Sequence, residues 1–457
     1  MFFPFAVLAS AAVGTVEYRS MTEAVRAANP MIENYVEGKA VDIDIESQVL
    51  KVKLEHLLKD TRNIGGTKDS NDEPVSLMRE IHYDKLVVAV GCKVMTSIVP
   101  GAEEYCYKLK TCDDARRLRT AIGECLEYAS QPGVSPLSDL SEQEARKRKE
   151  ARRKRLTWVI IGGGPTGVEL SGEISDLIKD ITKERQGAYN KLQGEVQIIL
   201  VEGGPCLVPP FEEGLREHAL YSLTNEGVDV RLNTFVKEVG DGYIKLQHRN
   251  GGDIETIDIG FSVWAAGITP SAFVETLLSK LPEEAKGDRG RVKVDKWLRC
   301  PTPTKDSFGS ILVMGDAAGF STRGGQVLPQ TAQVAAQQGA FVARMLDRGY
   351  NLSVTPPLLD YKNEEDGAIS TWLSVRGLEE APGFKFLNLG ILAYLGEGKA
   401  LSQIQVGDVP IMSYAGSVAF MLWRSVYLVK QVATRNRVLV LFDWLKCKVF
   451  GRDITRL

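Results

Sequence analysis

Residues Trp158 to Gly172 read WVIIGGGPTGVELSG: an apolar run, then Gly162, Gly164 and Gly167 in G-x-G-x-x-G spacing, then a helix-like stretch opening with Val168, Glu169 and Leu170. The first glycine of such a motif permits a tight strand-to-helix turn, the second lets the backbone approach a pyrophosphate, and the third brings helix against strand. A bare glycine spacing is weak evidence. Here β-branched Val159, Ile160 and Ile161 lead into it and a small-residue helical pattern follows, which supplies the strand–turn–helix context. The segment predicts a dinucleotide site gathered around Gly162, Gly164, Pro165, Thr166, Gly167 and Glu169.

A second buried-strand pattern, Val196 to Glu202 (VQIILVE), ends on a carboxylate. Glu202 is placed to accept from ribose hydroxyls, and its charge repels a 2′-phosphate, so the pair of segments favours NADH over NADPH. Its distance from the glycines exceeds the usual ~20 residues. The excess falls in the charged insertion around Lys179 to Gln193.

With 457 residues, 44% of them hydrophobic, the chain is long enough for two or three domains. Its net charge of −3 argues against a general nucleic-acid binder. Seven cysteines (Cys92, Cys106, Cys112, Cys125, Cys206, Cys300, Cys447) are scattered without a C-x-x-C pair, so neither a disulfide framework, a zinc site nor a redox dithiol is indicated. Reduced, mostly buried thiols are expected. His56, His82, His218 and His248 form no ligand-spaced cluster, so no metal site is expected.

Met1 to Ser10 is short and apolar without a basic leader, and predicts a strand running into a loop. Lys39 to Leu54 alternates with period 2, and Tyr83 to Gly91 (YDKLVVAVG) has the pattern of a buried strand ending in small residues. Between Gln131 and Arg155 a Pro/Ser segment leads into EARKRKEARRKR, which predicts a solvated helical insert, with attraction of acidic partners as the alternative. Ser310 to Gly319 (SILVMGDAAG) is a further strand-to-turn transition. An Asp at such a strand end can hold a sugar or ribityl hydroxyl while the amides after it face phosphate, so a second nucleotide, a flavin, is implied.

Taken together, Val13 to Glu17, Ala89 to Gly91, Ile161 to Glu169, Leu200 to Glu202, Trp264 to Gly267, Gly315 to Ala318, Pro329 to Gln337 and the segment from Phe386 onward resemble the type II, alternative, non-proton-pumping NADH:quinone oxidoreductases. The resemblance implies an α/β chain with two Rossmann-like dinucleotide-binding domains and a C-terminal amphipathic, membrane-anchoring helical segment. Residues 1–111 and 289–385 would form the two parts of the FAD domain, 112–288 the NADH domain with the insert 131–155, and 386–457 the anchor. The family also carries a separate N-terminal glycine motif for the FAD pyrophosphate. The chain starts downstream of that motif, so the resemblance implies a flavin domain that is N-terminally incomplete in this sequence.

The same resemblance assigns Ala266 and Gly267 to the nicotinamide side, and Thr15, Ala89, Gly91, Gly315, Asp316 and Ala317 to FAD. Hydride would pass from nicotinamide C4 to flavin N5 by alignment, without a dedicated catalytic side chain. Gln330, Thr331, Ala332, Gln333 and Gln337 would meet ubiquinone, Gln333 and Gln337 standing at i and i+4 on one helix face. Uncharged amides suit a carbonyl headgroup because they bond it without burying a charge. Trp372, Tyr394 and Leu387 to Gly396 would wall the quinone path, although core packing is the commoner role for any one of them.

From Arg424 to Leu457 there are eight Lys or Arg against two Asp, a local charge of +6. No uninterrupted apolar span of about 20 residues occurs, so an interfacial helix that buries Trp423, Tyr427, Phe442 and Trp444 in lipid is expected over a transmembrane one. A helical pair closing the core, or a homodimer interface, is the alternative. The implied location is peripheral to the mitochondrial inner membrane, on either face. No D-x-[DN]-x-[DN]-G calcium loop occurs. The alternative function is that of a flavin-poor NADH-binding sensor or scaffold. A disulfide reductase would need the missing dithiol, and a ferredoxin reductase would not need the basic tail.

Overall fold

The computed structural model describes residues 7–54, 77–131, 142–183, 187–322, 324–359, 380–406 and 409–453. Along the chain, helix α1 (Leu8–Ala12) is followed by strands β1 (Lys39–Asp44), β2 (Val49–Leu54), β3 (Leu77–His82), β4 (Leu86–Val88) and β5 (Cys106–Lys108). Helices α2 (Cys112–Ser130) and α3 (Glu142–Arg155) precede β6 (Thr157–Ile161), α4 (Pro165–Ile181), β7 (Gln197–Val201), α5 (Glu213–Asn225) and β8 (Val228–Arg231). Then come β9 (Thr234–Gly240), β10 (Tyr243–His248), β11 (Glu255–Asp258), β12 (Phe261–Trp264), α6 (Ala272–Lys280), β13 (Val292–Val294), β14 (Ile311–Val313), β15 (Ala318–Phe320) and α7 (Ala332–Asp347). The chain closes with β16 (Ile391–Gly396), β17 (Lys399–Val406), β18 (Val409–Gly416), α8 (Ser417–Val429) and α9 (Thr434–Phe450).

Contacts divide the chain into two units, unit 1 comprising Met1–Met31, Val94–Gly267 and Asn388–Leu457, and unit 2 comprising Ile32–Lys93 and Ile268–Leu387. Unit 1 is built on a five-stranded parallel sheet in the order β5-β12-β6-β7-β8. All five residues of β6 and all four of β12 are buried, because one face of the sheet packs on helix residues such as Leu118, Leu170 and Ile174 and the other on Val239, Ile244 and Leu246 of β9 and β10. Helix α2 starts at a capping box in which the Thr111 hydroxyl and the Asp114 carboxylate each accept the other residue's backbone N–H, and it buries Ala115, Leu118, Ile122, Leu126 and Ala129 along one stripe. The antiparallel sheet β16-β17-β18 belongs to the same unit, with β16 lying on α4. Gly172 permits that approach, since a Cβ there would stand 2.6 Å from the Leu395 carbonyl carbon.

Unit 2 carries the antiparallel sheet β1-β2-β3, with α6 against β1, and two parallel pairs, β4 with β14 and β13 with β15. The alternation in Lys39 to Leu54 resolves into the β1–β2 hairpin. In Ser310 to Gly319 it is the strand residues Ile311, Leu312 and Val313 that are fully buried.

Three features differ from the sequence reading. Leu8–Ala12 is a helical turn, not a strand, because Leu8, Ala9, Ala11 and Ala12 are all buried in one cluster with Leu118, Ile122, Leu170 and Ile174, and a strand would turn alternate residues away from it. The boundaries also move. The stretch before Met31 packs through α1 into unit 1, β5 forms an edge of that unit's sheet, and 388–457 shares its core through Ala393, Leu395 and Leu401. Finally, three cysteines are buried and four half-buried, all as free thiols. The insert contains a solvated helix as expected, with only Arg152 of α3 buried. Its residues 132–141, residues 184–186 of the second insertion and Trp372 lie outside the described residues.

Candidate functional site

In unit 1 the chain leaves β6 at Gly162, whose φ of +114° is a conformation that side-chain-bearing residues avoid. The Gly162 N–H donates to the Val201 carbonyl (2.8 Å), tying the turn to β7. A Cβ on Gly167 would lie 1.9 Å from the Gly162 carbonyl oxygen, so only glycine lets α4 begin this close to the strand. Gly164 is the N-cap, Pro165 opens the helix where a missing N–H costs nothing, and the first turn has no acidic residue. Pro165 and Thr166 are exposed, leaving the positive end of a 17-residue helix open to an anion.

Glu202 stands beside this turn. One carboxylate oxygen accepts from the Gly163 N–H and the other from the Gly204 N–H, each at 2.6 Å. Each oxygen keeps a further lone pair for a ribose hydroxyl. On the other side of β6, the Ala265 N–H donates to the Ile161 carbonyl (2.8 Å), and a Cβ on Gly162 would meet the Ala265 carbonyl oxygen at 2.8 Å. Ala266 is held by the Trp264 indole N–H donating to its carbonyl, and Gly267, with φ +65°, is exposed. The carboxyl ends of β6, β7 and β12 therefore converge on one crevice, which is where ligands bind in open α/β sheets. These residues fit a dinucleotide.

Glu169, assigned to the dinucleotide from the sequence, faces elsewhere. Its carboxyl accepts from the Tyr394 backbone N–H and the Trp423 indole N–H, both at 3.2 Å, and burial pushes its pKa up to about 8. The reason is helical geometry. Glu169, Glu173, Asp176 and Asp180 follow at spacings of four, three and four and share the α4 face that carries β16 and the C-terminal helices, while the free amides point along the axis at Gly164–Thr166. Glu173 accepts from the Ser10 hydroxyl (2.6 Å) and the Thr15 hydroxyl (3.0 Å) and pairs with Arg452 (2.8 Å). Arg452 also reaches Asp176 (3.6 Å) and Asp180 (3.3 Å), and the Tyr394 hydroxyl donates to Asp176 (2.5 Å).

Burial raises the Asp176 carboxyl, and burial together with the Glu173 and Asp176 charges holds the Tyr394 phenol far above its ordinary value. Thr15, assigned to the flavin from the sequence, has its proton committed to Glu173 and accepts from Arg452. Sequence reasoning missed this cluster. Its visible signal was the carboxylate stripe within VELSGEISDLIKD, in a helix otherwise rich in apolar residues.

In unit 2, β14 delivers Gly315 (φ +66°), Asp316 and Ala317 into a tight turn. The Gly315 N–H donates to the buried Gln338 side chain (2.7 Å), and the Gln330 amide donates to the Asp316 carbonyl (2.9 Å). The Cys92 thiol donates to the Asp316 carboxylate (3.0 Å), a contact no sequence motif announced. Ala89 is exposed, and Gly91 (φ +62°) has open space where a Cβ would stand. A carboxylate at a strand end beside a side-chain-free turn fits a polyol hydroxyl of a flavin. Thr331 caps α7 by accepting from the Val334 N–H (3.4 Å), and Ala332 is the first, exposed residue of the helix.

Gln333 and Gln337 do not present two free amides. Gln337 donates to the Leu387 carbonyl (2.8 Å) and accepts the Leu387 N–H (2.9 Å), because an extended chain beside the helix offers both groups at the spacing of a primary amide. Gln333 is half-buried and makes no hydrogen bond among the described residues.

The C-terminal helices also depart from expectation. Trp423 and Trp444 are buried, with Tyr427 packed against them, so these rings face the protein and not its surroundings. Phe442, in contrast, is exposed (60%). With it stand Val438, Leu441, Leu445 and Val449, spaced three or four residues apart along α9, and Val418, Met421 and Val429 of α8. No helix among the described residues is long and apolar enough to cross a membrane, and no metal-ligating cluster occurs among them.

Residues 5–339 match the family of pyridine nucleotide-disulphide oxidoreductases, and residues 388–453 match the NDH2 C-terminal domain. The chain is 31% identical over 461 residues to the external NADH-ubiquinone oxidoreductase 2, mitochondrial, of Saccharomyces cerevisiae, covering 99% of this chain and 76% of that protein. It is likewise 31% identical to an internal alternative NAD(P)H-ubiquinone oxidoreductase A1, mitochondrial, of Solanum tuberosum, covering 99% and 80%. Among solved structures it resembles NDH2 from Plasmodium falciparum in complex with NADH, with a TM-score of 0.78 at 20% identity over 99% of this chain and 92% of that one. Together with the nucleotide crevice and the C-terminal sheet-and-helix segment, these matches make the chain a member of the type II NADH dehydrogenase family of pyridine nucleotide-disulphide oxidoreductases.

Proposed function

We propose that the chain oxidises NADH and passes two electrons to ubiquinone as a non-proton-pumping flavoprotein, associated peripherally with the mitochondrial inner membrane. The observation that carries this is the crevice at Gly162–Gly167 with Glu202 on the neighbouring strand end, in a chain whose relatives are named NADH-ubiquinone oxidoreductases and mitochondrial. Gly162, Gly164, Pro165, Thr166 and Gly167 would hold the NADH pyrophosphate, Glu202 a ribose, and Ala266 and Gly267 the nicotinamide side. Asp316, with Gly315, Ala317, Ala89 and Gly91, would hold FAD, which when bound supplies the electron carrier between the two substrates. The chain's own task is positioning: the helix end neutralises pyrophosphate charge and Glu202 fixes the ribose. Gln333 is left as the amide for a quinone carbonyl. A sensor role is not favoured, since the relatives are named as oxidoreductases.

The exposed apolar faces of α8 and α9, flanked by Arg435, Arg437 and Lys448, would lie in the membrane surface, where a quinone is confined. Two measurements test the proposal. FAD-reconstituted protein should reduce decylubiquinone with NADH, and the protein should float with phospholipid vesicles. Reduction of ferricyanide without any quinone activity would remove the quinone assignment. Dimerisation in solution with no vesicle binding would assign the same faces to a second copy of the chain.

A further inference from the structure

Arg424 of α8 is a cation whose surroundings the proposed function leaves unexplained. Its guanidinium carbon lies 4.6 Å from the centroid of Phe420 and 4.7 Å from that of Trp444, so the planar group is sandwiched between rings of α8 and α9. Its Nε is buried and has no hydrogen-bond partner, and among the described residues no carboxylate pairs with it. Burial lowers its pKa, and the charge that reaches it from Glu173 belongs to a carboxylate already held by Ser10, Thr15 and Arg452. A half-desolvated cation normally has a counter-ion. Two stacked rings offset part of that requirement and leave the terminal Nη donors, which unlike Nε are not among the buried unpaired atoms, for an anion.

Building on the membrane reading above, we propose that Arg424 is a binding site for the phosphodiester group of an anionic phospholipid. A guanidinium offers a fork of parallel N–H donors that matches two phosphate oxygens, and the ring sandwich fixes that fork in place. The surroundings select a lipid over a free anion. Met421 and Val418 on α8, and Leu441 and Leu445 flanking Trp444 on α9, are exposed apolar side chains able to receive the acyl part. The site belongs to the helix pair itself and would distinguish one docked lipid from general attraction to a charged surface.

The test is vesicle flotation of the full chain with phosphatidylcholine alone and with added phosphatidylglycerol, comparing R424Q and R424K with K430Q and K448Q, two exposed lysines of the same segment. Removing one surface cation weakens binding to anionic vesicles by roughly fivefold, whereas losing charge-assisted hydrogen bonds at a built site costs thirtyfold or more. R424Q should therefore fall well below both lysine variants on the mixed vesicles and match them on phosphatidylcholine alone. R424K should fail to restore binding although it restores charge. Equal loss for R424Q and K430Q overturns the site while leaving membrane docking intact. A wild-type chain that floats with neither vesicle overturns both. Thermal stabilisation by inorganic phosphate that R424Q abolishes, with no difference between variants on vesicles, would assign Arg424 to a free anion and overturn the lipid assignment.

Discussion

Glu169 offers the sharpest check on the buried acidic stripe of α4. In the folded chain burial holds its proton up to about pH 8, against an ordinary value of 4.5. Between these limits folding takes up a proton, so the stability this carboxyl allows falls as pH rises through the window. Below it both states are protonated, and above it both are ionised with the full cost of the buried charge in place. Each pH unit inside the window is worth about 1.36 kcal/mol, so from pH 5.5 to 8 the loss is roughly 3 kcal/mol. E169Q keeps an oxygen for the Tyr394 N–H and the Trp423 indole but cannot ionise. Melting curves of wild type and E169Q at half-unit steps from pH 5 to 9 isolate the effect, because all other groups cancel in the difference. The variant should gain on the wild type steadily across the window, reaching a Tm advantage of several degrees at its upper end. A difference that stays constant with pH would show that Glu169 titrates as an ordinary carboxyl and that its burial has been misread.

Three further outcomes are expected. G167A places a Cβ 1.9 Å from the Gly162 carbonyl oxygen, so α4 must retreat by more than 1 Å; stability should drop by about 1–3 kcal/mol and NADH affinity, read by tryptophan quenching, by up to roughly 100-fold. Unchanged NADH titration would contradict the close helix–strand contact. E202Q removes the charge facing a 2′-phosphate and should raise NADPH use relative to NADH roughly tenfold, in steady-state assays with both nucleotides; an unaltered ratio would detach Glu202 from ribose recognition. R452Q leaves Glu173 and Asp176 buried without their cation, and denaturant unfolding should show a loss of about 3–5 kcal/mol. A loss below ~1 kcal/mol would mark the cluster as solvated.

The strand–turn–helix at Gly162–Gly167 was legible because its constraints are local. Glycine spacing, the β-branched run before it and the strand-end Glu202 all act within a few residues of one another or along adjacent strands. What escaped depends on which face of a helix meets the rest of the chain. The sequence shows that α9 has aromatic and apolar residues on more than one side, but only packing against Val16, Tyr394 and Ala419 decides that Trp444 turns in while Phe442 turns out. Gln337 illustrates the same limit, since its i+4 relation to Gln333 was correct and a backbone partner fifty residues away took its amide. The Leu8–Ala12 turn was misjudged because a run of small apolar residues carries no period of its own.

Helix α4 has the dinucleotide crevice at one end, β16 seated on its Gly172 and Arg452 clasped along its flank. Trimming the chain before β16 would strip Ala393, Leu395 and Leu401 from the same apolar cluster that contains Val168, Leu170 and Ile174. The cut would expose the interior of the nucleotide unit. Polar replacement of Val438, Leu441, Leu445 and Val449 touches only the outward side and leaves that interior intact.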